Sequence, residues 1–210
     1  MKKNLHMKVG RRRAIGALAG MAALSAASGW LMGCTPEKPQ FKSIDLTGAD
    51  YARDFSLLDQ HGQLRTVKDF AGKVVVVFFG FTQCPDVCPA SMTELAEVKR
   101  LLGTDGNRLQ AIFITVDPDR DTPELLRAYM ANFDPSFLAL RPTSAELPQV
   151  AKNYKIYYKK VEGKTKSSYS MDHSAGSYIY DPQGRIRLYN RYGSGAEVLA
   201  SDIRILLKAG

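Results

Sequence analysis

Two runs of apolar residues dominate the hydrophobic pattern of the chain. Val74-Val-Val-Val-Phe-Phe79 and Ala111-Ile-Phe-Ile-Thr-Val116 are nearly free of polar positions and rich in β-branched and aromatic side chains. Such runs predict strands buried on both faces, as a parallel sheet requires. Between them, Met92, Leu95, Val98, Leu101 and Leu102 recur at helical spacing, with Pro89 placed to open the helix. A second helix is predicted from Thr122 as N-cap and Pro123 at the first position, through Leu125, Leu126, Tyr129 and Met130. A third is expected near Ala145–Tyr154, after a short strand near Phe137–Leu140.

Other stretches read as hairpins. Phe55-Ser-Leu-Leu58 and Leu64-Arg-Thr-Val67 flank the turn Asp59-Gln-His61-Gly62 and predict an edge hairpin. Ser177–Tyr180 and Arg185–Tyr189 flank Asp181-Pro-Gln-Gly184 in the same way, and Ala196–Lys208 forms an amphipathic closing helix. Strands and helices alternate before this last hairpin, so the fold class is α/β with a central mixed sheet flanked by helices. The hairpin is an insertion before the last helix.

Charge divides the chain. The formal net charge of the 210 residues is +8, which would admit a nucleic-acid partner. Six basic residues and no acidic one fall within residues 1–33, however, while the other 23 of the 29 basic residues face all 21 acidic ones. The excess belongs to a targeting segment, and nucleic acid is not an expected partner.

Arg11-Arg12-Arg13 is followed by an uncharged stretch ending in Leu31-Met32-Gly33-Cys34. That order is a bacterial export signal of residues 1–33. Leu-Met-Gly-Cys resembles a lipobox, which would make Cys34 a lipidated first residue. An uncleaved transmembrane anchor is the alternative, since about twenty residues just span a bilayer. Either places the domain outside the inner membrane, anchored and periplasm-facing in the bacterial cell envelope. Residues 34–50 read as a tether and residues 51–210 as one domain.

Candidate chemistry begins with Cys84-Pro-Asp-Val-Cys88, directly after the first apolar run. If the chain has begun to coil, the sulfurs lie about one turn apart, within the 4.4–6.8 Å Cα separation of a disulfide. A helix N-terminus beside Cys88 would lower its pKa. A dithiol at a strand-to-helix junction also predicts a thioredoxin-like fold. The four charges Asp117, Asp119, Arg120 and Asp121 read as turn-forming and capping residues rather than a hard-cation site. Six lysines between Lys152 and Lys166, opposed by Glu162 alone, read as a solvated face or a docking patch for an acidic partner.

Of the three histidines, His6 lies in the signal and His61 in a turn; His173 lies in Ser170-Met-Asp-His-Ser174. Two thiolates and one imidazole form a soft donor set suited to copper, as Cu(I) or Cu(II), whereas structural zinc would want a fourth ligand.

The run F-F-G-F-T-Q-C-P-D-V-C-P, the segment V-D-P-D-R-D-T-P and the D-H-S after a lysine-rich stretch together resemble the SCO/SenC family. The resemblance implies a membrane-tethered, thioredoxin-like copper chaperone for cytochrome c oxidase. It makes Cys84, Cys88 and His173 the copper ligands and Cys84 and Cys88 redox-active thiols. Implied partners are the oxidase subunit bearing the copper A site, a copper donor protein and a thiol reductant. The usual family tether is a transmembrane helix, from which the lipobox departs. A thiol–disulfide oxidoreductase that keeps the target's cysteines reduced is the alternative. A peroxidase would want an arginine near the nucleophile, and none is close in sequence. A disulfide has no thiolate to donate, so redox state should gate metal loading. A neutral His173 is needed as well, so loading should weaken at low pH.

Overall fold

The computed structural model describes residues 39–164 and 168–209. The expected export signal, Cys34 and the first residues of the tether lie outside them. The described residues from Gln40 onward form one compact unit. In chain order its elements are β1 (Ile44–Asp45), β2 (Ser56–Asp59), β3 (Leu64–Thr66), β4 (Val74–Gly80), α1 (Val87–Leu101), β5 (Leu109–Thr115) and α2 (Pro123–Ala131). Then come β6 (Leu138–Arg141), α3 (Leu147–Tyr154), β7 (Tyr158–Glu162), β8 (Tyr169–His173), β9 (Ser177–Tyr180), β10 (Ile186–Asn190) and α4 (Ala196–Lys208).

Eight strands make one mixed sheet in the order β1-β10-β9-β4-β5-β6-β2-β3. The inner three, β4, β5 and β6, are parallel, and β9 closes antiparallel on β4. Every residue of β4 and β5 is buried. Since successive side chains point to opposite faces, both faces are covered, and this is what the uninterrupted apolar runs demand. Burying a large apolar side chain contributes roughly 1.5–3 kcal/mol, so Phe78, Phe79, Phe113 and Ile114, all at 0% exposure, anchor the core. On α1, Met92, Leu95 and Val98 turn inward, and the helix packs against α4.

Several expectations shift in detail. The chain coils from Val87, so Pro89 is the third helical residue rather than the first. Its missing N–H costs nothing there, because the first four N–H groups of a helix have no intrahelical partner. Thr122 caps α2 as expected, its hydroxyl accepting from the Leu125 N–H at 3.3 Å. The hairpin before the last helix is β9–β10, and it joins the main sheet directly.

The folded unit also starts earlier than residue 51. Buried Asp202 on α4 accepts the backbone N–H groups of Lys42 and Ser43 at 2.9 and 2.8 Å, and β1 then pairs with β10. The second half of the segment read as tether is thus tied into the fold. β7, in the lysine-rich segment, pairs with β8 beyond it in a separate two-stranded sheet. Among the described residues no helix is long and apolar enough to cross a membrane.

Candidate metal centre

Three segments converge at the end of β4. The loop after Gly80 carries Cys84, whose N–H donates to the Phe81 carbonyl at 3.2 Å. Cys88 is the second residue of α1 and fully buried, while Cys84 is half-buried; both are free thiols. His173 is the last residue of β8. Its Nε2 lies 3.4 Å from the Cys88 sulfur. The two sulfurs and one imidazole nitrogen all fall within 4.8 Å of one another. No other such group of histidine, cysteine and carboxylate ligands occurs among the described residues, the acidic loop 117–121 included.

The imidazole is oriented for donation. Its Nδ1 lies 3.0 Å from the Ser174 carbonyl, which can only accept, so the proton sits on Nδ1. Nε2 then turns its lone pair toward the thiols, in the arrangement that fixes the tautomer of metal-binding histidines. Phe78 and Phe81 hold the ring edge-to-face at 6.1 and 5.9 Å. Burial keeps the His173 pKa below its ordinary value, against the opposing bond to Ser174. At neutral pH the ring is neutral and able to coordinate.

Cys88 departs from expectation. Burial pushes its thiol far above the ordinary range, and the Phe81 N–H bond does not offset this. The position at a helix N-terminus is as predicted, but desolvation of a fully enclosed sulfur outweighs the helix dipole, whose effect is small by comparison. A bound cation would supply the missing charge and release the proton.

The loop that follows β5 braces the site, and sequence spacing did not reveal it. Buried Asp121 accepts the Thr82 N–H at 3.1 Å, the Thr82 hydroxyl at 2.6 Å and the Thr115 hydroxyl at 2.5 Å. It thereby holds the start of the thiol loop to the end of β5. Its carboxyl is pushed up by burial, with those hydrogen bonds opposing. Asp117 pairs with Arg120 and accepts the Tyr169 hydroxyl at 2.7 Å. Arg120 donates to Gln83 of the thiol loop at 3.1 Å, so an arginine distant in sequence does approach this loop. The Tyr129 hydroxyl, buried without a hydrogen-bond partner among the described residues, is within electrostatic reach of both thiols.

Known proteins share this architecture. A SCO2-like protein of Rickettsia felis is 33% identical over 154 residues, covering 72% of this chain and 75% of the relative. ScoI of Bradyrhizobium japonicum, solved with copper bound, is 41% identical at a TM-score of 0.66, over 73% of this chain and 97% of that one. Yeast Sco1 with copper bound is 32% identical at a TM-score of 0.67, over 75% of this chain and 88% of that one. The SCO1/SenC family profile matches residues 45–208, which hold the thiol loop, the acidic loop and His173 alike. The chain belongs to the SCO1/SenC family.

Proposed function

We propose that the domain carries one copper ion on Cys84, Cys88 and His173 and passes it to the copper A subunit of cytochrome c oxidase. The observation that carries this reading is the convergence of two sulfurs and one imidazole nitrogen within 4.8 Å, with the Nε2 lone pair facing the thiols. Sulfur favours Cu(I), and the imidazole keeps Cu(II) within reach. Three protein ligands leave a position open, where a structural zinc site would fill all four. The copper bound by the Bradyrhizobium and yeast proteins supports the choice of metal. The oxidase as recipient, a copper donor and a thiol reductant follow from the family resemblance. The basic, then uncharged N-terminal segment and Leu31-Met32-Gly33-Cys34 support a membrane tether facing the periplasm, through lipidated Cys34 or a spanning segment. Mass spectrometry of membrane-extracted protein tests the anchor: acylated Cys34 at the N-terminus is expected, and an intact chain retaining Met1 favours the spanning segment.

Redox state gates loading in this reading, since oxidation of the pair removes both thiolates. Titration of the reduced protein should give one copper per chain, and Cys84→Ser or Cys88→Ser should abolish tight binding. Equal copper affinity of the oxidised and reduced proteins, measured against a chromophoric chelator, would exclude the thiols as ligands.

One observation favours a second reading. Cys84 is half-exposed and Cys88 enclosed, the asymmetry of an attacking and a resolving thiol in a disulfide oxidoreductase. Replacing His173 with Ala separates the two, because disulfide exchange does not need the imidazole. Normal oxidase assembly in copper-starved cells carrying that variant would favour the oxidoreductase.

A further inference from the structure

The hairpin that carries His173 stands apart from the main sheet. Among the described residues β7 and β8 pair only with each other, and no backbone ladder to the eight-stranded sheet fixes where the imidazole sits. Side chains must do so. Tyr169, Met171 and His173 alternate along β8 and share its inner face, while Ser170 and Asp172 between them are exposed.

Met171 is an apolar contact and sets no direction. Tyr169 is held by directional bonds at the far end of the strand. Its hydroxyl donates to Asp117 Oδ1 at 2.7 Å, and its carbonyl accepts from Arg120 Nη1 at 2.8 Å. The Arg120 guanidinium also lies over the Tyr169 ring, 3.5 Å from its centroid.

The holder is itself fixed. Asp117 is nearly enclosed, pairs with Arg120, and donates its N–H to Thr115 Oγ1 at 3.0 Å at the end of β5. The same Arg120 Nη1 donates to Gln83, beside Cys84. One acid and one arginine thus tie together the thiol loop, the end of β5 and the hairpin.

We propose that Asp117, through Arg120 and Tyr169, positions His173 against the two thiols and sets the nitrogen ligand of the centre. The inference rests on the copper reading above and assigns Asp117 a positioning role without contact to the metal. It adds to the turn-forming role expected for this residue, whose carbonyl accepts the Arg120 and Asp121 N–H groups at 3.2 and 3.0 Å.

The test uses Asp117→Asn and the milder Tyr169→Phe, which keeps the ring and removes only the hydroxyl. Melting curves establish that each variant is folded. Reduced protein is titrated with Cu(I) and Cu(II) against chelators, alone and in a His173→Ala background. Asp117→Asn should weaken Cu(II) by about tenfold, the scale of lost outer-shell partners of metal ligands. Cu(I) should weaken less, and the Cu(II) electron paramagnetic resonance signal should move toward that of His173→Ala. Adding either variant to His173→Ala should cost nothing further, because a residue acting through His173 has nothing left to act on.

Wild-type Cu(II) affinity in both variants would overturn the inference. So would losses that add to that of His173→Ala, since the brace would then act on the thiols or on the fold. If His173→Ala leaves Cu(II) affinity unchanged, the copper reading fails instead. The metal-free protein then decides the positioning claim. Shifted or broadened His173 ring resonances in Tyr169→Phe would sustain it, and unchanged ones would refute it.

Discussion

Gly80 and Cys88 touch so closely that a Cβ built on Gly80 would lie 2.8 Å from the Cys88 sulfur. The same Cβ would come within 2.7 Å of the Phe113 ring, which is wholly buried. The last residue of the central strand must therefore lack a side chain for the second thiol to lodge against the sheet. Gly80→Ala should destabilise the protein by about 1–3 kcal/mol through overpacking. It should also displace the sulfur and weaken copper binding. Urea unfolding should show a lower midpoint at unchanged slope, and an unaltered midpoint would mean that α1 shifts freely.

The two thiols should differ in reactivity. Cys88 is fully enclosed and its burial holds the proton on sulfur, so thiolate is scarce there at neutral pH. Brief treatment of the reduced, metal-free protein with iodoacetamide should modify Cys84 and spare Cys88 until denaturant is added. Peptide mass spectrometry reads the ratio, and equal labelling in the folded protein would contradict the burial described here.

Acid should act on His173 with a defined sign. Its folded pKa lies below the unfolded value near 6.5. Above 6.5 both states are neutral and the group contributes no pH dependence. Below it the unfolded chain takes the proton first, so stability falls as pH drops toward the folded pKa and levels off beneath it. His173→Ala should remove that component, giving a shallower loss between pH 7 and pH 5 in paired urea titrations. Copper loading should weaken over the acid side of the same range, because the protonated ring cannot coordinate.

Asp202→Ala should release the start of the folded unit. It strips the acceptor from the Lys42 and Ser43 N–H groups, at a cost of roughly 1–3 kcal/mol for unsatisfied donors. Amide exchange should accelerate at these two residues and in β1, with β4 and β5 unaffected. Uniform acceleration across the sheet would show that β1 is integral to global stability.

What the sequence revealed depended on whether a signal was local. Val74–Phe79 declares a central strand because each residue is apolar, and Ala196–Lys208 declares a helix because its periodicity is complete. β1 is two residues long and has no periodicity to read; pairing with β10 and the Asp202 bonds just before it, both to partners far along the chain, make it part of the fold. The lysine-rich strand β7 is exposed on four of its five residues, so it carries no hydrophobic alternation. The thiols and His173 were legible as residue types in motifs, whereas Asp117 and Tyr169 gain their meaning from a contact spanning 52 positions. The acidity of Cys88 was misjudged because helix position can be read from proline and spacing, and enclosure of a sulfur cannot.

The 85 positions between Cys88 and His173 impose an order of events. The thiols are only four positions apart, so an unfolded polypeptide can bring both to one ion by closing a short loop. The nitrogen belongs to a hairpin near the other end and reaches the sulfurs only when the sheet between them has been built. An ion captured early would be held by sulfur alone, and one captured late would meet the complete set. In the proposed centre the third ligand is thus a record of finished folding, and any gain in affinity it brings would be returned to the native state as resistance to unfolding.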